Sequence, residues 1–139
     1  MVGFPRIGEL RRSVVNRLTA LLVGWTVWDG VRDGILKTPA IILMDSDTAL
    51  AGGHDRPPFF VWQTTLTFYI VGGPEGEPRS WESLPDLISE ALGAIQEATQ
   101  GALGGEPRAI RARIPGETIP IAGSNYHLGL VEVSIIHSI

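Results

Sequence analysis

Apolar positions recur along residues 6–22 at spacings of three and four: Ile7, Leu10, Val14, Val15, Leu18, Leu21 and Leu22. That spacing predicts an amphipathic helix. Arg6, Arg11, Arg12 and Arg17 fall largely off the stripe, on the side expected to face solvent or another subunit. Gly24 is the expected stop. Trp25–Trp28 reads as a short strand closed by the turn pair Asp29-Gly30, and a second turn pair follows at Asp33-Gly34.

Pro39–Met44 is a continuous apolar run, as in a strand covered on both faces. Asp45–Pro58 breaks the pattern, with two glycines, two prolines and four charged residues, and reads as a long loop. Phe59–Val71 alternates again. Phe60, Trp62, Leu66, Phe68 and Ile70 are expected on one face, and Gln63, Thr65, Thr67 and Tyr69 on the other. The two strands are expected to form a hairpin tipped by the charged loop.

A second helix is predicted from Ser80 or Ser83 to about Gln100. Its stripe is Leu84, Leu87, Ile88, Ala91, Leu92 and Ile95, and Ser83 with Asp86 resembles a capping box. Alternation at 109–114 sets Ile110, Ala112 and Ile114 against Arg111 and Arg113. Alternation at 128–137 sets Val131, Val133 and Ile135 against Glu132 and Ser134. The order α, β, β, β, α, β, β predicts a single α+β domain over 1–139, an antiparallel or mixed sheet of about five strands with both helices on one face. Leu18, Leu22, Ile42, Trp62, Leu66, Phe68, Leu87, Leu92 and Val133 are the expected core.

With 139 residues, 44% of them hydrophobic and no cysteine, the chain needs neither disulfides nor thiolate metal sites to hold a core. Residues 1–5 have no signal-peptide pattern, and no apolar run approaches the roughly 20 residues a membrane helix needs. The net charge of −4 divides into six basic and three acidic residues over 1–37, against five and twelve over 38–139. That balance disfavours general nucleic-acid binding, which needs clustered cations, and suits head-to-tail contact between copies.

Candidate chemistry is sparse. Asp45, Asp47, His54 and Asp55 are metal-ligand types, but their spacing matches no known metal loop, so a solvated partner-binding loop is the stronger reading. Ser124 and His127 lack a nucleophile elbow, and Gly123-Ser124-Asn125 reads as a turn. His137 is expected to be an exposed strand end. Trp25, Trp28 and Trp62 read as core or interface anchors. No catalytic, cofactor or metal site is expected. The alternative is a small metal- or ligand-binding domain, or an enzyme, using the 45–55 loop.

The helix RRSVVNRLTALL, the strand closed by Asp29-Gly30, the Pro39-Ala40-Ile41 strand, the polar loop, the helix SLPDLISEALGAI and the closing GLVEVSIIHSI follow one another in an order that resembles the tail terminator (tail completion) proteins of long-tailed bacteriophages. The resemblance covers nearly the whole chain. It implies a structural virion protein made in the host cytoplasm. Six copies would form a ring at the head-proximal end of the tail, capping the tail tube and offering a surface to a head-tail connector or neck protein. DNA could pass through the lumen without sequence-specific recognition. A different neck or tail-tube component is the near alternative. The resemblance also implies that the polar loop touches the tail tube. Here that is residues 46–58, with Asp47, Thr48, Gly52, Gly53, His54, Asp55 and Arg56 as the docking residues, mobile until a partner orders them.

Overall fold

The computed structural model describes residues 5–53, 60–74 and 82–138. Helix α1 spans Ile7–Leu21, and Leu10, Val14 and Leu18 are its buried side chains. Glu9 in its first turn suits the positive end of the helix dipole. The Leu22 N–H closes the last turn on the Leu18 carbonyl at 2.8 Å. Strands β1 (Thr26–Asp29), β2 (Ala40–Gly53) and β3 (Phe60–Pro74) follow. Helix α2 is Leu84–Thr99, with Pro85 in its first turn. A short 3-10 turn at Ala102–Gly104 leads to β4 (Glu106–Arg113), β5 (Thr118–Ile121) and β6 (Ser124–Ser138).

The sheet order is β1-β2-β3-β6-β4, with β5 paired to β6 beyond β4. β1 runs parallel to β2, and the other pairs are antiparallel. The α+β architecture and the packing of both helices on one face follow the sequence expectation. On that face Leu10, Val14, Leu18 and Leu22 of the first helix region and Ile88, Ala91 and Ile95 of α2 form one core with Ile41, Leu43, Leu66, Phe68, Ile70, Val131, Val133 and Ile135. Gly129 lets α2 approach closely. A Cβ there would sit 2.5 Å from Ile88 Cδ1.

The opposite face carries a second, smaller core. Trp28, Leu36, Ala40, Ile42, Val71, Ile121 and Tyr126 cluster there, with Met44, Tyr69 and Ile119 around them. β5, which the sequence pattern did not reveal, contributes to this cover. Its hairpin turns on Ala122 and Gly123, with φ of 51° and 83°. Positive φ at both central positions is the turn whose twist matches paired strands. Ser124 and Asn125 therefore belong to β6, not to the turn.

Several side chains differ from expectation. Trp62, Leu87 and Leu92 are only partly buried, while Ala94, Ala98 and Thr99 of α2 are buried in their place. The stripe of α2 is narrower in large residues because its C-terminal half lies close against α1 and the sheet. Ser83 makes no side-chain cap hydrogen bond, since its own backbone is already helical at φ −78° and ψ −21°. His137 is 4% exposed, not a solvated end.

Candidate functional site

The segment expected to be a charged loop is largely strand. β2 continues through Asp45–Gly53, and its partners on β3 run from Thr67 back to Phe60. Asp47, Thr48, Gly52 and Gly53 thus lie on a β-hairpin arm. His54, Asp55 and Arg56 fall outside the described residues. The physical reason is an irregularity at Met44. Leu43 pairs with Phe68 and Asp45 with Thr67, so Met44 is an extra residue in β2. A bulge of this kind reverses the side-chain alternation beyond it. Before it, Ile41 and Leu43 face the helices. After it, Ser46 and Thr48 do, opposite the buried Leu66 and Thr64. Asp45 and Asp47 are turned out to the open face, and both are exposed.

Arg11 holds this bulge. It was expected to be solvated, but it reaches across from α1. Its Nε donates to Asp29 Oδ1 at 3.0 Å, and Nη2 is ion-paired with the same carboxylate. Nη2 also donates to the carbonyl oxygens of Leu43 at 3.0 Å and Met44 at 3.2 Å, and Nη1 to Ser46 Oγ at 3.2 Å. The Met44 carbonyl at the bulge is thereby satisfied, and the Leu43 carbonyl gains a second donor beside the Gly30 N–H at 2.8 Å. Arg17 likewise serves the fold. Its Nη1 donates to the Ala98 carbonyl at 3.1 Å and the Gln100 carbonyl at 2.9 Å, placing a cation at the C-terminal end of α2. Arg6 pairs with Glu9 at 3.4 Å, and both are exposed. Arg12 is exposed as expected.

Along the arm, Asp47 and Ala49 are exposed on the open face, and Leu50 on the helix face is 50% exposed. The open face of the sheet is crossed by polar rows. One row runs Asp45, Thr67, Glu132, Arg111, and the next Asp47, Thr65, Ser134, Ala109. On the helix face, Thr48 and Thr64 hydroxyls lie 3.0 Å apart and Thr64 lies 2.8 Å from His137 Nε2. Burial lowers the His137 pKa, so this three-strand chain of polar groups is built around a neutral imidazole.

The sheet is open at both sides among the described residues. β1 covers β2 only from Ala40 to Leu43, which leaves the outer edge from Asp45 onward without a neighbouring strand. At the other side β4 is the last strand alongside residues 130–136 of β6. The β2 edge carries Asp45 and Asp47, while β4 carries Arg108, Arg111 and Arg113 against Glu106. Alternation at 109–114 carries no signal that β4 is terminal, because sheet order is not written in local pattern.

Chemical sites are poorly developed among the described residues. Ser124 and His127 are three apart on one strand and so point to opposite faces. No group of three His, Asp or Glu side chains is close enough to hold a metal ion among the described residues. A cleft of about 130 Å³ lies beside Arg111, Arg113, Leu130 and Glu132, and an open groove of about 350 Å³ between the helices is lined by Arg17, Ala20, Leu21, Glu97 and Gln100. The first is smaller than a typical ligand pocket, and the second is an open groove, not an enclosed cavity. No helix among the described residues is long and apolar enough to cross a membrane. No protein-family model matches the chain, and no curated protein is similar to it in sequence.

Proposed function

We propose that the chain is a structural subunit that joins copies of itself head to tail into a ring, as a phage tail terminator does. The observation that carries this reading is the pair of uncovered sheet edges, different from one another and opposite in charge. An uncovered edge is a template for pairing with another chain. Two unlike edges on one molecule favour a heterologous contact, which closes as a ring where the rotation between copies closes and otherwise runs on as a filament. The β2–β3 arm supports the second half of the reading. It exposes Asp47 and Ala49 on the open face and Leu50 on the helix face, which suits contact with a tail tube. Within the described residues it is a strand pair, 45–53 against 60–67.

Native mass spectrometry and light scattering at micromolar concentration test the ring, and electron microscopy of assembled particles tests its place. Discrete closed multimers, six-membered if the resemblance holds in detail, are expected at the head-proximal end of a tail. A strict monomer in solution, with no ring in particles either, overturns the reading.

A further inference from the structure

We infer that the subunit contact is a strand-to-strand addition: β4 of one copy pairs antiparallel with the outer edge of β2 of the next. This rests on the ring reading and names the surface that would build it.

Direction comes first. β2, β3, β6 and β4 alternate in sense, so β2 and β4 run opposite ways. A rotated copy whose β2 lies beside β4 therefore meets it antiparallel, and the sheet continues from subunit to subunit.

Register comes next, and β1 sets it. β1 occupies the β2 edge up to Leu43, so an incoming strand can begin only at Asp45. On the other side Pro107 has no N–H, and β4 is irregular between Pro107 and Ala109. The usable part of β4 is thus Ala109–Arg113, and the usable part of β2 starts at Asp45. Laid antiparallel, Arg113 stands opposite Asp45, Arg111 opposite Asp47 and Ala109 opposite Ala49. Within one copy Arg111 shares a row with Asp45. Between copies Arg113 takes that place, a stagger of two residues, and closing a sheet on itself requires a stagger.

Chemistry then agrees with register. Asp45 and Asp47 face the open side because of the bulge at Met44, and Arg111 shares that side through its pairing with Glu132. Both aspartates and both arginines are exposed. Opposite charges directly across an antiparallel pair stabilise it, and like charges oppose it. On the helix side the same alignment sets Ile110 against Thr48 and Ala112 against Ser46, without a charge on either strand.

The test is charge exchange in the full chain. Asp45→Arg with Asp47→Arg makes both edges basic. Arg111→Asp with Arg113→Asp makes both acidic. Each double variant alone is expected to lose the multimer in native mass spectrometry while keeping the wild-type circular dichroism. An equimolar mixture is expected to recover multimers, because each edge again meets its opposite. Multimers that persist in both variants, or monomers that persist on mixing, overturn the strand contact and leave the ring reading standing. A wild-type chain that is monomeric throughout overturns the ring reading itself. A cysteine pair covers the case of a variant that does not fold. The chain has no cysteine of its own. Asp47→Cys with Arg111→Cys places two thiols on strands three spacings apart, roughly 14 Å within one copy, beyond disulfide reach. A ladder of disulfide-linked copies is expected on mild oxidation of the assembled protein. Its absence overturns the register.

Discussion

Arg11 and Asp29 form an ion pair between α1 and the last residue of β1, and the same guanidinium donates to two carbonyls at the β2 bulge. One side chain thus fixes where β1 ends and where the β2 edge begins. Arg11→Ala is expected to destabilise the fold by about 2 kcal/mol, because the bonds from a charged donor to Asp29, Ser46 and the Met44 carbonyl are lost, while the Leu43 carbonyl keeps the Gly30 N–H at 2.8 Å. Arg11→Lys should recover little, since an ammonium cannot present the planar fork that reaches the carboxylate and the carbonyls together. Arg12→Ala, one residue on and exposed, should change stability by less than about 0.5 kcal/mol. Urea denaturation of the three variants checks the ranking.

His137 and Thr64 predict an acid sensitivity. Desolvation lowers the folded-state pKa of His137, so the unfolded chain takes up its proton first as pH falls. The contribution of a neutral His137 is fully present above the unfolded value of about 6.5 and is lost as pH drops through the lower folded value. Melting temperature should therefore fall on acidification below about pH 6.5, and His137→Gln should flatten that part of the profile. An unchanged pH profile in the variant would place the acid sensitivity elsewhere.

Two glycines are expected to respond in opposite directions to alanine. At Gly129 the new methyl meets Ile88 Cδ1 at 2.5 Å and Cγ1 at 2.8 Å. Displacing α2 or rotating Ile88 should cost about 1–3 kcal/mol. At Gly93, within α2, nothing lies within 4 Å of the new methyl. Gly93→Ala should stabilise by roughly 1 kcal/mol through helix propensity alone. Thermal melts of both variants test the placement of α2 on the sheet.

Leu66 and Leu92 separate full from partial burial. Leu66 is 0% exposed at the centre of β3, and Leu66→Ala should cost about 2–5 kcal/mol. Leu92 only borders the core, so Leu92→Ala should cost clearly less. Equal losses would mean that α2 is rotated from the orientation described.

Hydrogen exchange should distinguish the two sides of the arm. The β3 amides from Thr64 to Phe68 lie between β2 and β6 and should exchange slowly. Along β2 from Asp45 to Leu50, amides should alternate between slow and fast in the free subunit, since every second one points to the uncovered edge. Assembly should slow the fast set.

Much of the fold was legible because its long strands and helices carry clean periods. Ile41, Leu66, Phe68, Val131 and Val133 alternate as sheet residues do, and Leu10, Val14 and Leu18 recur as helical ones. The arm was not legible. Asp45-Ser46-Asp47-Thr48 follows an apolar run with polar residues on both faces, which reads as a loop. It is a strand whose open face meets solvent and whose inner face meets threonines and a histidine in place of aliphatic groups. Arg11 and Arg17 were placed correctly on the helix but given the wrong surroundings, since a helical wheel shows angle and not what lies opposite. His137 misled for a similar reason. Its closeness to the chain end suggested exposure, while Thr64, 73 positions away, receives it.

The extra residue at Met44 also sets which kinds of sequence change the arm can absorb. Substitutions from Asp45 to Thr48 alter one side chain at a time and leave the rest in place. Loss of a single residue is taken up by the bulge itself. Without Met44, Leu43 stays beside Phe68 and Asp45 beside Thr67, and every side chain keeps its present face. A further loss has no spare residue to draw on before the irregularity between Leu50 and Gly52, and would turn the side chains between them to the other face. The stretch is therefore expected to tolerate loss of one residue at the bulge better than loss of two.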